Sequence, residues 1–210
     1  ELQDKESKQG QALFGIIQGS TYPEVRKNSA EALARMDFPG YAIGGLSLGE
    51  PKTTTFEMVD LCISRVPEEK PRYLMGVGTP EDMVEAIARG IDMFDCVLPT
   101  RNARNASLFT RFGKLIIKNS GYAEDFSPVD PECRCSTCKK YSRAYLRHLF
   151  NTGEVSALRL ATIHSLSFYM DLMKMAKDAI LHNCFSEWRM EFLSKYWSNQ
   201  TDEEESKENN

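Results

Sequence analysis

The sequence predicts an α/β protein built from parallel βα units and followed by a small metal-binding subdomain. Three observations predict it. Up to about residue 100, short apolar runs ending in glycine or polar residues alternate with segments of helical periodicity. After that point a hairpin pattern and longer helices replace the alternation. Between them, Cys133, Cys135 and Cys138 crowd into six residues.

The first strand is Leu13-Phe-Gly-Ile-Ile17, and residues 23–36 form a helix with Val25, Ala30, Leu33 and Ala34 on its apolar stripe. Tyr41-Ala-Ile-Gly-Gly45 is the second strand, followed by a helix over 54–65 through Phe56, Val59, Leu61 and Ile63. Arg72-Tyr-Leu-Met-Gly76 is the third. The helix over 80–89 opens with Thr79 as a cap, Pro80 in the first turn and two acids at the positive end of the dipole. Met93-Phe-Asp-Cys-Val97 is a fourth strand, stopped by Pro99. Four βα units are half of a (β/α)8 barrel, and a half cannot close a cylinder. A preceding part is therefore expected, and Glu1 in place of an initiating Met points the same way.

Residues 1–100 are thus expected to hold the four barrel units and residues 101–165 a hairpin and zinc-binding subdomain. In the latter, Ser107-Leu-Phe-Thr-Arg111 and Lys114-Leu-Ile-Ile-Lys118 read as a hairpin around Phe112-Gly113. Helices are expected at about 140–151, 154–159, 164–181 and 183–197, with residues 166–200 as C-terminal helices. The polar tail 201–210 is expected to be disordered.

Composition narrows the function. Of 210 residues, 27% are charged and 41% hydrophobic, which excludes a disordered or collagen-like chain. No apolar run reaches the length of a membrane span, and no N-terminal segment resembles a secretory signal. The net charge of −4 argues against a polyanionic partner only until its distribution is read. The ten-residue tail accounts for all of it, whereas residues 101–150 carry ten Lys/Arg against four acids. Such a block can steer a polyanion or simply be a solvated face.

Cys62, Cys96 and Cys184 stand apart from the cluster, and the chain is neither short nor visibly secreted. A reducing cytoplasm and one metal site fit this usage better than a disulfide framework. Cys133, Cys135 and Cys138 supply three soft ligands on a tight loop, and His164 follows after 25 intervening residues. Three thiolates and an imidazole close a tetrahedral site, the pattern of structural zinc. His164 is preferred over His148 and His182 because it is expected to open a helix, although spacing alone does not decide among them.

Asp95 interrupts an apolar strand at its C-terminal end, where βα architectures build their active sites. A carboxylate there can be a nucleophile or a general base. It can equally cap local backbone or pair with Arg101, and the residues alone leave these readings open.

Phe94-Asp-Cys-Val-Leu-Pro-Thr-Arg101, Tyr41-Ala-Ile-Gly-Gly-Leu-Ser-Leu-Gly-Glu50 and the CxCxxC…His set closely resemble the tRNA-guanine transglycosylases of the bacterial queuine pathway. The resemblance runs from about Phe14 to Trp197 and implies the C-terminal half of a (β/α)8 barrel with a zinc subdomain. It implies exchange of guanine at the tRNA wobble position for the 7-aminomethyl-7-deazaguanine precursor of queuosine. Asp95 matches the nucleophile that attacks ribose C1′ and holds a covalent glycosyl intermediate, much as in retaining glycosidases.

The resemblance also implies a purine pocket. Gln18 matches a residue at the base edge; Gly45 and Leu46 match positions whose backbone amides address the base carbonyl. Met75 and Gly76 match pocket walls, and Glu50 an acid that backs the Leu46 peptide as the pocket switches substrate. Leu48 stands where eukaryotic relatives carry glycine, which favours the small precursor base over queuine. Arg101 and Arg104 match residues that read anticodon-loop bases beside the target, as guanidinium groups read splayed single-stranded RNA. Arg111, Lys114, Lys118, Lys139, Lys140 and Arg143 can hold phosphates, though each taken singly reads first as a solvated surface cation. The implied partners are the tRNA anticodon loop and a second copy in a homodimer. The family's general acid/base aspartate and a second base-recognising aspartate match no segment here. The 210 residues alone are therefore expected to be inactive.

Overall fold

A computed structural model describes residues 10–198. The described residues fall into two compact units, one ending at Cys96 and the other beginning at Val97.

In the first unit β1 (Phe14–Ile17), β2 (Gly40–Ile43), β3 (Arg72–Leu74) and β4 (Met93–Phe94) alternate with α1 (Pro23–Ala34), α2 (Lys52–Ile63) and α3 (Pro80–Ala88). Every pairing is parallel and the strand order follows the chain order. The register aligns Ile17, Ile43, Leu74 and Phe94 on one face, and Ile16, Ala42, Tyr73 and Met93 on the other. The first row is the helix-facing core. Ile17, Ile43 and Leu74 are at most 2% exposed and pack with Ala30, Met58, Val59, Cys62 and Ala86 from the helices. Burying each such aliphatic side chain contributes about 1.5–3 kcal/mol. On the opposite face Ile16 and Met93 remain 46% and 45% exposed. Thr79 caps α3 as expected, accepting from Asp82 N at 3.3 Å.

The second unit comprises α4 (Leu98–Arg104), the antiparallel hairpin β5 (Ser107–Thr110) and β6 (Gly113–Ile116), a 3-10 turn (Ser120–Tyr122), α5 (Ser136–Lys140), α6 (Arg143–Asn151), α7 (Val155–Leu181) and α8 (Phe185–Ser198). Its core joins Leu108, Leu115 and Ile117 of the hairpin region to Ala103, Leu146, Leu149, Ala157 and Ala161 of the helices. Phe109 stacks on Phe168 and meets Tyr169 edge-on, so α7 lies against the hairpin.

Three expectations change. The fourth strand is only Met93–Phe94, and the chain then enters α4. Pro99 lies in the first turn of that helix, where its missing N–H costs nothing, instead of merely ending a strand. The helices expected at 154–159 and 164–181 are one continuous α7. No Gly or Pro separates them, so nothing breaks the backbone ladder, and His164 sits within the helix and not at its start. The tail 201–210 lies outside the described residues.

Candidate functional site

Asp95 is exposed just beyond β4, on the sheet face shared with Tyr73 and Met93. Tyr73 Oη donates to its Oδ1 at 2.6 Å, and the Gly76 N–H donates to the same oxygen at 3.0 Å. Together these bonds, the phenol's first, hold the Asp95 carboxyl below the usual carboxylate range. The same bond pushes the Tyr73 phenol up. Both of these donors address Oδ1. Gly76 adopts φ 76°, which directs its N–H at Asp95, and its α-carbon faces open space. Beside Asp95, Cys96 fits against Gly78: a Cβ at Gly78 would lie 1.8 Å from Cys96 Sγ.

The loops after β1 and β2 supply the neighbouring surface. The exposed Gln18 side chain lies over the Gly44–Gly45 backbone, its Nε2 2.7 Å from where a Gly44 Cβ would be and its Oε1 2.6 Å from that of Gly45. Met75 Sδ closes the same spot, 3.3 Å from the position of a Gly44 Cβ. Gln18, Gly44, Gly45 and Met75 therefore come together, and Met75 is bonded in chain to the Gly76 that holds Asp95.

Glu50 fastens the next turn. Its carboxylate accepts from Ser47 N, from Leu48 N at 2.9 Å and from the Thr55 hydroxyl at 2.7 Å. Burial raises its pKa, but the Thr55 bond and the backbone donors outweigh this and bring it to about 2. The turn leaves Leu46 buried at 4% and Leu48 85% exposed at its tip.

Under these loops lies Arg26 of α1, fully buried. Its Nε donates to Ser20 O at 2.8 Å, its Nη2 to Gly44 O at 3.1 Å and Gly45 O at 3.5 Å, and its Nη1 to Cys62 Sγ at 3.8 Å. Among the described residues no carboxylate pairs with it. Desolvating a cation is costly, and here loop carbonyls and the Cys62 sulfur offset that cost.

In the second unit, one donor atom each from Cys133, Cys135, Cys138 and His164 lie within 4.8 Å of one another. Cys135 caps α5, and its sulfur accepts from Cys138 N at 3.4 Å. His164 is buried and presents Nδ1 3.3 Å from Cys138 Sγ and 3.8 Å from Cys135 Sγ. Its Nε2 lies 2.9 Å from Phe109 O, which fixes a proton on Nε2 and frees Nδ1 for a metal. Hydrogen bonds from Cys133 and then Cys138 hold the Cys135 thiol below its ordinary value, while Cys133 and Cys135 push the Cys138 thiol up. Three sulfurs and one oriented imidazole at these spacings fit tetrahedral zinc.

The Phe109 carbonyl is free to do this because of the hairpin register. Ile117 N donates to Ala106 O at 2.9 Å, so Ala106 and Ile117 form a hydrogen-bonded pair. By alternation Phe109 and Lys114 form a non-hydrogen-bonded one, with the Phe109 carbonyl turned away from β6.

Arg101 and Arg104 are exposed, one turn apart on α4. Two of the other basic residues are engaged internally: Arg111 with Asp130 and Asp171, and Arg143 with Asp125 and the Tyr122 ring. His148 and His182 are exposed, away from the cysteine cluster.

A family model described as queuine tRNA-ribosyltransferase matches residues 1–198. The chain belongs to that family. It is 59% identical over 189 residues to the queuine tRNA-ribosyltransferase of Caldanaerobacter subterraneus subsp. tengcongensis, covering 90% of this chain and 50% of that protein. It is 58% identical over 186 residues to the protein of the same name in Thermoanaerobacter pseudethanolicus, covering 89% and 50%. For Dehalococcoides mccartyi the identity is 55%, covering 89% and 47%. The chain thus spans about half the length of the curated relatives it matches. Among the described residues no helix is long and apolar enough to cross a membrane.

Within this chain, sequence reasoning missed Tyr73, Thr55, Phe109 and Arg26. Tyr73 lies in β3 two residues before Met75, which follows the strand's last residue, and continuing the alternation places both on one face, which is a usable signal. Arg26 has none: on an amphipathic helix an arginine reads as solvated.

Proposed function

We propose that the intact protein exchanges guanine at the tRNA wobble position for 7-aminomethyl-7-deazaguanine, through a covalent ribosyl intermediate on Asp95. The observation that carries this reading is the ionised, exposed Asp95, steadied through one oxygen by Tyr73 and Gly76. Its Oδ2 attacks ribose C1′, and the C1′–N9 bond breaks with its electron pair going to guanine. Guanine takes a proton from the general acid that the resemblance assigns to the other half of the family's chain. The incoming base then attacks C1′ through its own ring nitrogen, passes that nitrogen's proton back to the same acid/base group and releases the carboxylate. One N-glycosidic bond replaces another, so no external energy source is needed.

The base lies against Gln18 and the amides of Gly45 and Leu46, with Met75 and Gly76 as walls. Glu50 supports the choice of base. It holds the Ser47 N–H, so the Leu46 carbonyl of the same trans peptide faces the opposite way and can accept from an aminomethyl group. Leu48 favours the small precursor over queuine. The target nucleotide leaves its stack to reach this pocket, and Arg101 and Arg104 read its neighbours.

The fold belongs to the same reading: the second half of a (β/α)8 barrel. Its support is the sequential parallel order and the apolar face left open at Ile16 and Met93. Zinc on Cys133, Cys135, Cys138 and His164 is structural, joining the cysteine loop, α7 and, through Phe109, the hairpin. We further propose a cytoplasmic homodimer. Phe126 is 82% exposed beside the stacked Tyr141 and Tyr145, rings 5.3 Å apart, and such an aromatic face is suited to burial against a second copy.

Full-length protein incubated with an anticodon stem-loop RNA and labelled guanine is expected to incorporate label and to yield a denaturant-stable RNA adduct. Asp95→Asn abolishes the adduct. No exchange by the parent protein, or an adduct that persists in Asp95→Asn, refutes the reading.

A further inference from the structure

The amides assigned to the purine cannot choose their own direction; something must orient the peptides that carry them. Peptide units are planar and trans, so a carbonyl held to one side sends the N–H of the next residue to the other. The Gly44 carbonyl belongs to the same unit as the Gly45 N–H, and the Gly45 carbonyl to the same unit as the Leu46 N–H. Both carbonyls accept from Arg26 Nη2, at 3.1 and 3.5 Å. Gly45 adopts φ 67°, a conformation in which both carbonyls can turn toward one cation while any side chain would collide with Gln18.

We propose that Arg26 is a positioning residue for the base pocket: its buried guanidinium draws the Gly44 and Gly45 carbonyls inward and thereby aims the Gly45 and Leu46 amides at the purine. The inference rests on the purine-pocket reading above and adds its cause. Three features distinguish Arg26 from an ordinary packing residue. It is fully buried, yet its acceptors are backbone carbonyls and one thiol. The carbonyls come from two loops, because Nε holds Ser20 O beyond β1 while Nη2 holds the turn beyond β2. The loop after β1 is also fitted to it: a Cβ at Gly19, whose φ is 141°, would lie 2.7 Å from Arg26 N. A cation at a carbonyl oxygen also polarises the peptide and strengthens its N–H as a donor.

The test compares the intact enzyme with Arg26→Lys and Arg26→Met. Lysine keeps the charge but cannot bridge the two loops; methionine keeps an apolar stem and removes every donor. In guanine exchange the KM for guanine is expected to rise at least tenfold in either variant. The KM for the stem-loop RNA and kcat at saturating guanine should stay within about twofold. In 15N spectra the Gly45 and Leu46 amides are expected to shift, while the Tyr73 hydroxyl bond to Asp95 is unaffected. A guanine KM within twofold of the parent in a folded variant overturns the proposal. So does an equal loss in kcat and both KM values, or failure of both variants to fold, each of which assigns Arg26 to the scaffold alone. If the parent enzyme exchanges no guanine, the functional reading fails instead, and the amide shifts still decide whether Arg26 orients the loop.

Discussion

Replacing Thr55 with valine isolates the bond that holds Glu50. Thr55 is 6% exposed, and its hydroxyl donates to Glu50 at 2.7 Å; valine preserves the shape and deletes the donor. A hydrogen bond to a charged group contributes about 1.5–3 kcal/mol. Glu50 retains the Ser47 and Leu48 amides and is partly solvated, so a loss of about 1.5 kcal/mol is expected at neutral pH. For a unit of this size that corresponds to a fall in Tm of roughly 6–12 °C. The effect must also depend on pH. Glu50 titrates near 2 in the folded chain against an ordinary 4.5, so its contribution is complete above the ordinary value and is lost as pH falls through the folded one. Thr55→Val raises the folded value, so the variant is most destabilised at neutral pH and approaches the parent in acid. Urea unfolding at about pH 7 and about pH 3, with a carboxyl NMR titration of Glu50, reads both quantities. An unmoved Glu50 titration, or equal destabilisation at both pH values, would refute the hydroxyl as the cause.

Tyr73→Phe removes the strongest hold on Asp95, so the carboxyl pKa rises toward the ordinary range and the acid limb of adduct formation moves to higher pH; an unchanged pH profile refutes the role. Metal analysis of folded, reduced protein should give one zinc per chain, and Cys138→Ser should lose it and unfold the hairpin and α7 before the first unit. Sub-stoichiometric metal in a fully folded sample would count against the site. Arg101→Ala and Arg104→Ala should each weaken stem-loop binding and relax the preference for the bases beside the target, leaving the KM for guanine unchanged. A change in guanine KM alone would move these arginines out of the RNA interface.

Legibility followed the range of the interactions. The βα units could be read because each needs only its own periodicity and boundary residues: Thr79 and Pro80 announce α3 without reference to any other segment. The cysteine cluster could be read because Cys133, Cys135 and Cys138 are neighbours in the chain. Where a role depends on a distant partner the sequence is silent. His164 carries no mark of the Phe109 carbonyl 55 positions away, and its place inside α7 contradicted the local cue that had favoured it. Arg26 fails similarly, since helical spacing does not reveal that the segment beneath it offers carbonyls in place of water. Pro99 shows a different limit. The same residue ends a strand or begins a helix, and only the following turn of α4 decides.

The bond between Phe109 and His164 also makes the metal site a check on strand register. Sliding β5 by one residue against β6 would turn the Phe109 carbonyl into the ladder and present an N–H pattern of opposite phase on the outer edge. His164 would lose its acceptor, and its ring could no longer be held with Nδ1 toward the sulfurs. A misregistered hairpin would thus bind zinc poorly, and zinc would select the aligned hairpin as the chain folds. Metal occupancy in a freshly synthesised chain would therefore report whether a two-stranded ribbon ending 17 residues before Cys133 has paired in phase.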